Sequence, residues 1–154
     1  TIYLGPLKVP LPPPTESPEG VQPQSARFGD VAQLLGYGLT SQPNDVSLSL
    51  YWKAESPDGV DYTIFVHLLD ETGQLVIGHD NQPVSGSYPT SIWEPSEIIL
   101  DEHTFDTSGL PPGEYRIEIG MYLLETGERL PVSLPDGTEN VAGQLILITP
   151  VEVQ

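Results

Sequence analysis

Three histidines stand close to carboxylates in this sequence: His67, His79 directly before Asp80, and His103 two residues after Asp101. On a strand, residues two apart share a face, so Asp101 and His103 point the same way. If the strand of His79 lies alongside, Asp101, His103 and His79 offer the imidazole and carboxylate ligands that zinc or manganese accepts. The spacing fits no HExxH-type template, however. Strand histidines held by local hydrogen bonds are the simpler expectation, and no metal is assigned. Oxygen ligands cluster at Asp58/Asp61, Asp80/Asn81, Asp101/Glu102 and Asp136/Glu139. No pair supplies the oxygens that calcium needs, and no EF-hand loop is present. Solvated acidic turns account for them, so no cofactor is expected and a structural calcium is the minor alternative.

The stretch from Asn81 to Ser96 carries a different set. Tyr88 and Trp93 lie among Gly, Ser and Pro, with Asp80, Asn81 and Gln82 alongside. Aromatic faces stack on a pyranose while carboxylate and amide groups fix its hydroxyls, so these five residues are the candidate ligand site. The competing expectation for Trp93, and the favoured one, is a plug. Ile92 and Pro95 flank it, and a long loop in a small domain needs an anchor or a function. Trp52, in an alternating strand, belongs to the core. Nucleophilic catalysis has no support: there is no Cys, no GxSxG and no Gly-rich phosphate loop. Gly36-Tyr37-Gly38 lacks the third glycine and the helix of a dinucleotide site. A glycosidase pair needs a deep cleft, which a small sandwich seldom builds. No catalytic residue is assigned.

The elements that must position these side chains are strands. Val46, Leu48, Leu50, Trp52 and Ala54 alternate with polar or amphipathic neighbours at a period of two. Further runs cover 31–39, 62–69, 74–79, 97–105, 113–123, 129–132, 144–149 and 151–153, separated by turns such as Ser56-Pro57-Asp58-Gly59 and Asp70-Glu71-Thr72-Gly73. The run 62–69 is apolar on both faces at its middle and reads as a central strand. The pattern predicts an all-β, antiparallel two-sheet β-sandwich, immunoglobulin- or fibronectin-like, with about seven to nine strands. Leu110-Pro111-Pro112-Gly113-Glu114-Tyr115 has the form of a turn leading into a tyrosine corner.

Composition sets the outer bounds. The 154 residues suit one domain, 17 Pro and 15 Gly break up long helices, and 5 basic against 22 acidic residues leave a net charge of −17. Such a field repels phosphate backbones and anionic lipid, so nucleic acid is not an expected partner, and no apolar run is long enough for direct membrane insertion. Residues 1–9 read as a flanking edge strand or tether remnant, 10–25 as a Pro-rich linker, and 26–154 as the sandwich. The opening in mid-sequence suggests a cut from a larger protein, and the flanking strand makes an edge-strand dimer an option.

Several motifs then accumulate in order: Phe28-Gly29-Asp30, Leu34-Leu35-Gly36-Tyr37, Leu50-Tyr51-Trp52, the run Asp61 to Asp70, Gly73 and Asp80. Tyr88-Pro89-Thr90, Trp93, Pro95, Leu110 to Gly113, Tyr115, Gly120-Met121-Tyr122 and Gly127-Glu128-Arg129-Leu130 complete the set. Together, over residues 26–132, they resemble the C-terminal extracytoplasmic β-sandwich domain of bacterial multi-pass membrane proteins, many of them similar to glycosyltransferases of the dolichyl-phosphate-mannose mannosyltransferase type. The resemblance implies an extracytoplasmic, membrane-tethered location and a non-catalytic accessory role, with the parent membrane protein or a cell-envelope protein or glycan as partner. It carries over no catalytic residue. Three readings therefore stand, in this order: an accessory or interaction module, a carbohydrate-binding module using the loop aromatics, and a minor glycan-processing enzyme.

Overall fold

Alternation of apolar and polar residues gives each strand one face to bury, and in the computed structural model two sheets bury those faces against each other. Residues 22–153 are described, except 57 and 85, together with the backbone of Ile2–Tyr3. The strands are β1 (Ile2–Tyr3), β2 (Gln22–Phe28), β3 (Ala32–Ser41), β4 (Asp45–Ala54), β5 (Thr63–Leu69) and β6 (Leu75–Asn81). They continue with β7 (Ile98–Asp106), β8 (Gly113–Tyr122), β9 (Val132–Ser133), β10 (Glu139–Asn140), β11 (Leu145–Ile146) and β12 (Val151–Val153). Among the described residues the single helical turn is a 3-10 segment, Thr90–Ile92.

One sheet has the order β1-β7-β4-β3-β2-β9-β10, and the other β11-β8-β5-β6, with β12 pairing further along β8. All pairings are antiparallel except β1 with β7, where Ile2 and Tyr3 run parallel to Ile98 and Ile99. The fold is the expected all-β sandwich, and β5 is central, between β8 and β6. Two strands have no counterpart in the sequence reading: the seven-residue β2, and β10, a two-residue pairing that no alternation could announce. The core takes its largest members from both sheets: Phe28, Leu34, Tyr37, Leu48, Leu50 and Trp52 from one, Ile64, Leu68 and Ile117 from the other. Phe28 meets Trp52 edge-on at 5.0 Å between ring centres. The Trp52 indole N–H has no hydrogen-bond partner among the described residues.

Two boundaries differ from the sequence reading. β2 begins at Gln22, inside the stretch read as linker, because a register shift between Pro23 and Ala26 accommodates the proline that cannot donate to a ladder. The expected strand 129–132 is instead a bridge between Arg129 and Tyr122 followed by β9. Of the expected strand 2–9, only Ile2–Tyr3 is described; the remainder, and residues 10–21 of the linker, lie outside the described residues.

Two hydrogen-bond devices close the ends of the sandwich. The Tyr115 hydroxyl donates to the Pro111 carbonyl at 2.7 Å, which is the tyrosine corner that the Pro-Pro-Gly turn implied. At the opposite edge, Gln24 acts like a short strand. Its amide nitrogen donates to the Ile146 carbonyl at 3.1 Å and its carbonyl accepts from Ile148 N–H at 3.0 Å. The neighbouring Thr149 N–H donates to the Tyr37 hydroxyl at 3.0 Å. Among the described residues no helix is long and apolar enough to cross a membrane.

Candidate functional site

The outward face of β5 does not follow the rule that such a face is polar. Ile64, Val66 and Leu68 enter the core, which leaves Phe65 and His67 on the other side of the sheet. Phe65 is nevertheless buried. Its ring lies across Gly120 of β8, where a β-carbon would come within 2.2 Å of it. The Arg129 guanidinium covers it from above, 4.4 Å from the ring centre. Gly120 and the 123–130 turn thus make room for an aromatic ring on the outside of the sandwich.

A polar chain runs beside that ring. Tyr122 donates to Asp80 Oδ2 at 2.8 Å, and Asp80 Oδ1 lies 3.2 Å from His67 Nε2. On the far side, His67 Nδ1 is 3.4 Å from Glu118 Oε1. A neutral imidazole donates to only one of these carboxylates; the protonated ring serves both. Burial, and then Asp80, push the Tyr122 hydroxyl above the ordinary phenol range. Phe65, His67, Asp80, Tyr122, Gly127 and Arg129 enclose a pocket of about 160 Å³. Arg129 makes no ion pair with a described residue; the two arginine pairs present join Arg27 to Glu55 and Arg116 to Glu114. Its N–H donors therefore edge the pocket unspent.

The five residues proposed for a ligand do not meet. Tyr88 and Trp93 are 2% and 4% exposed. Tyr88 donates its hydroxyl to the buried Glu97 carboxylate at 2.6 Å, and the Trp93 indole donates to the Tyr88 carbonyl at 3.0 Å. Rings so enclosed have no free face for a sugar, and Trp93 is the plug. Asn81 turns inward from Asp80 and accepts from the Gln82 N–H at 2.9 Å. Of that set only Asp80 reaches the pocket. Sequence reasoning missed Phe65, Tyr122 and Arg129. The one readable signal was an aromatic–polar alternation, Phe65 and His67, within a strand already apolar on its other face.

The histidine set did assemble, but in a line. Asp101 and His103 face the core of β7, 0% and 3% exposed. His103 Nε2 is 2.7 Å from Asp101 Oδ2, and its Nδ1 is 2.7 Å from His79 Nδ1, which comes from β6 in the other sheet. Asp101 Oδ1 accepts from the Val84 N–H at 2.9 Å. Val84 is a β-branched residue at φ 57°, a conformation it avoids unless held. Two nitrogens sharing a tetrahedral zinc stand about 3.3 Å apart, given bonds of about 2.0 Å. The observed spacing is that of a shared proton, so the metal-ligand option for Asp101, His103 and His79 gives way to a hydrogen-bonded relay. Among the described residues no group of three His, Asp or Glu side chains is arranged to hold a metal.

The acidic turns are likewise occupied by their own chain. Asp58 accepts from Tyr62 and Val60, Asp61 from Ser91, and Asp136 from Thr138. Burial, reinforced by Asp58, raises the Tyr62 hydroxyl to about 12.

No family model matches the chain, and no curated protein matches it. Among solved structures it is similar to the C-terminal domain of Wzt: TM-score 0.52, 11% identity, with 88% of each chain covered. At that identity the likeness shows the β-sandwich fold alone.

Proposed function

We propose that the chain is a non-catalytic accessory module that binds a partner for a larger protein. The observation that carries this reading is the outer pocket, whose side chains are tied to one another. Tyr122 is held by Asp80 and Asp80 by His67, an arrangement that fixes the positions of these side chains for recognition. The similar solved structure supports it, being itself a C-terminal domain of a longer protein. The resemblance over residues 26–132 extends the proposal to a membrane-tethered, extracytoplasmic parent of the glycosyltransferase type.

One observation favours carbohydrate as a second reading. Asp80 oxygens beside unspent Arg129 donors match neighbouring sugar hydroxyls, which both donate and accept. The pocket is about half the lower bound for drug-sized ligands, so it would hold a single terminal ring. The site is then Asp80, His67, Tyr122 and Arg129, in place of the loop aromatics. The experiment is a glycan-array screen of the whole chain beside Arg129→Ala, both checked for folding by circular dichroism. Specific binding lost in the variant supports the carbohydrate reading. Silence from the folded wild type returns the weight to a protein partner, sought by crosslinking within the parent. Turnover of a captured glycan would overturn the non-catalytic proposal.

A further inference from the structure

The Asp101–His103–His79 line runs from two buried groups to a half-buried His79, crosses between the sheets and takes no part in the outer pocket. Its hydrogen bonds depend on how many protons it holds. The ionised Asp101 only accepts, so His103 Nε2 carries a proton toward Oδ2. Between the two Nδ1 atoms, 2.7 Å apart, there is room for one proton. With both rings neutral, His79 Nδ1–H donates to His103. With one added proton the line still holds, as either ring donates and the positive charge lies against Asp101 or on His79. With two added protons both Nδ1 atoms are donors, two N–H groups face each other, and the bond is lost.

We infer that Asp101, His103 and His79 form a proton-counting clasp that fastens the edge of the five-stranded sheet to the seven-stranded sheet and releases it in acid. Three observations converge on this. The donors and acceptors come from different sheets, β6 and β7, which share no ladder, so the clasp is a direct polar link between these two strands. The same carboxylate holds the Val84 N–H and with it a strained turn. The Asp101–His103 end of the relay is also buried, and the His79 ring stands edge-on to Phe105 at 5.9 Å, so at that end water does not replace a broken bond cheaply.

The charged and titratable groups around His79 are His103 and Asp101 from β7 and Asp80 beside it on β6. Burial, and then His103, hold the His79 imidazole below its ordinary range, against the opposing pull of Asp101 and Asp80. A folded value below the unfolded one means that His79 contributes its stability in full above about pH 6.5 and loses it as pH falls through the lowered value, while the clasp itself parts only when the second proton is bound.

The test uses the whole chain. Side-chain ¹⁵N spectra between pH 8 and 4 are expected to show His79 titrating below the ordinary imidazole range, with His103 responding in the same step. Hydrogen exchange, corrected for intrinsic rates, is expected to lose about tenfold protection at Val84 and along β6 between pH 7 and pH 4, where the second proton binds, while β3 and β4 stay protected. In His79→Phe, which keeps a ring against Phe105, the same amides should be weakly protected at both pH values. Independent titration of the two histidines at the ordinary value overturns the clasp. So does an acid loss of protection that is uniform over the molecule or equal in His79→Phe. If that variant does not fold, the wild-type spectra decide the question alone.

Discussion

At the scale of single residues, hydroxyl groups fasten the loops. Replacing Tyr115 by Phe removes the donor to the Pro111 carbonyl and leaves the ring in place. Urea unfolding is expected to show a loss of about 1 kcal/mol, the usual net worth of such a bond. Tyr62 offers a pH test. Its phenol value is raised in the fold to about 12, so the stability it contributes is complete below about pH 10 and is lost as pH rises through that folded value. Ultraviolet titration should show a late-ionising phenol that disappears in Tyr62→Phe. These roles differ in how plainly the sequence displays them. The Pro-Pro-Gly-Glu-Tyr spelling states the Tyr115 bond almost outright, and Ile92 and Pro95 beside Trp93 point to a plug. Arg129 gives no such sign, because its place over Phe65 depends on a turn that brings it back across β8, and nothing local encodes that return.

At the scale of elements, alternation located the long strands from β3 onward to within a residue or two, and missed β2, whose Gln22-Pro23-Gln24-Ser25 opening has no apolar period. Val46 to Ala54 became β4 because its five apolar side chains must all face one way. Short strands such as β9 and β10 escaped, since two residues carry no period. The line from Asp101 to His79 was half legible. Period two puts Asp101 and His103 on the face shared by Ile99 and Phe105, but which strand lies opposite is a matter of topology. Gly120 is the element-scale weak point. A methyl group there would press on Phe65 and on the Gly143 carbonyl, 2.5 Å away. Gly120→Ala is therefore expected to cost about 3 kcal/mol in denaturant unfolding and to distort the outer pocket. Arg129→Ala, by contrast, should cost only about 1 kcal/mol, the worth of its contact over the Phe65 ring. Equal stability of Gly120→Ala and wild type would mean that the ring has another place to go.

At the scale of the whole molecule, a charge of −17 acts on everything at once. Self-repulsion opposes compaction, and salt screens it: the Debye length falls from about 30 Å at 0.01 M to about 8 Å at 0.15 M. Scanning calorimetry should find the Tm higher at the greater ionic strength, by roughly 3 °C if about 1 kcal/mol is relieved. A Tm that falls with salt would show that ion pairs outweigh repulsion, although only two arginine pairs are present among the described residues. The Gln24 contact with Ile146 and Ile148 has a different consequence, in time. Its partners are separated by 122 and 124 positions, so during synthesis β2 waits, with this side chain uncommitted, until residues 146–148 have been made. Closing loops of that length comes late and slowly. A chain halted before β11 would present an unfinished edge to its neighbours, which makes the arrival of residues 145–153 the moment at which a newborn molecule stops being sticky.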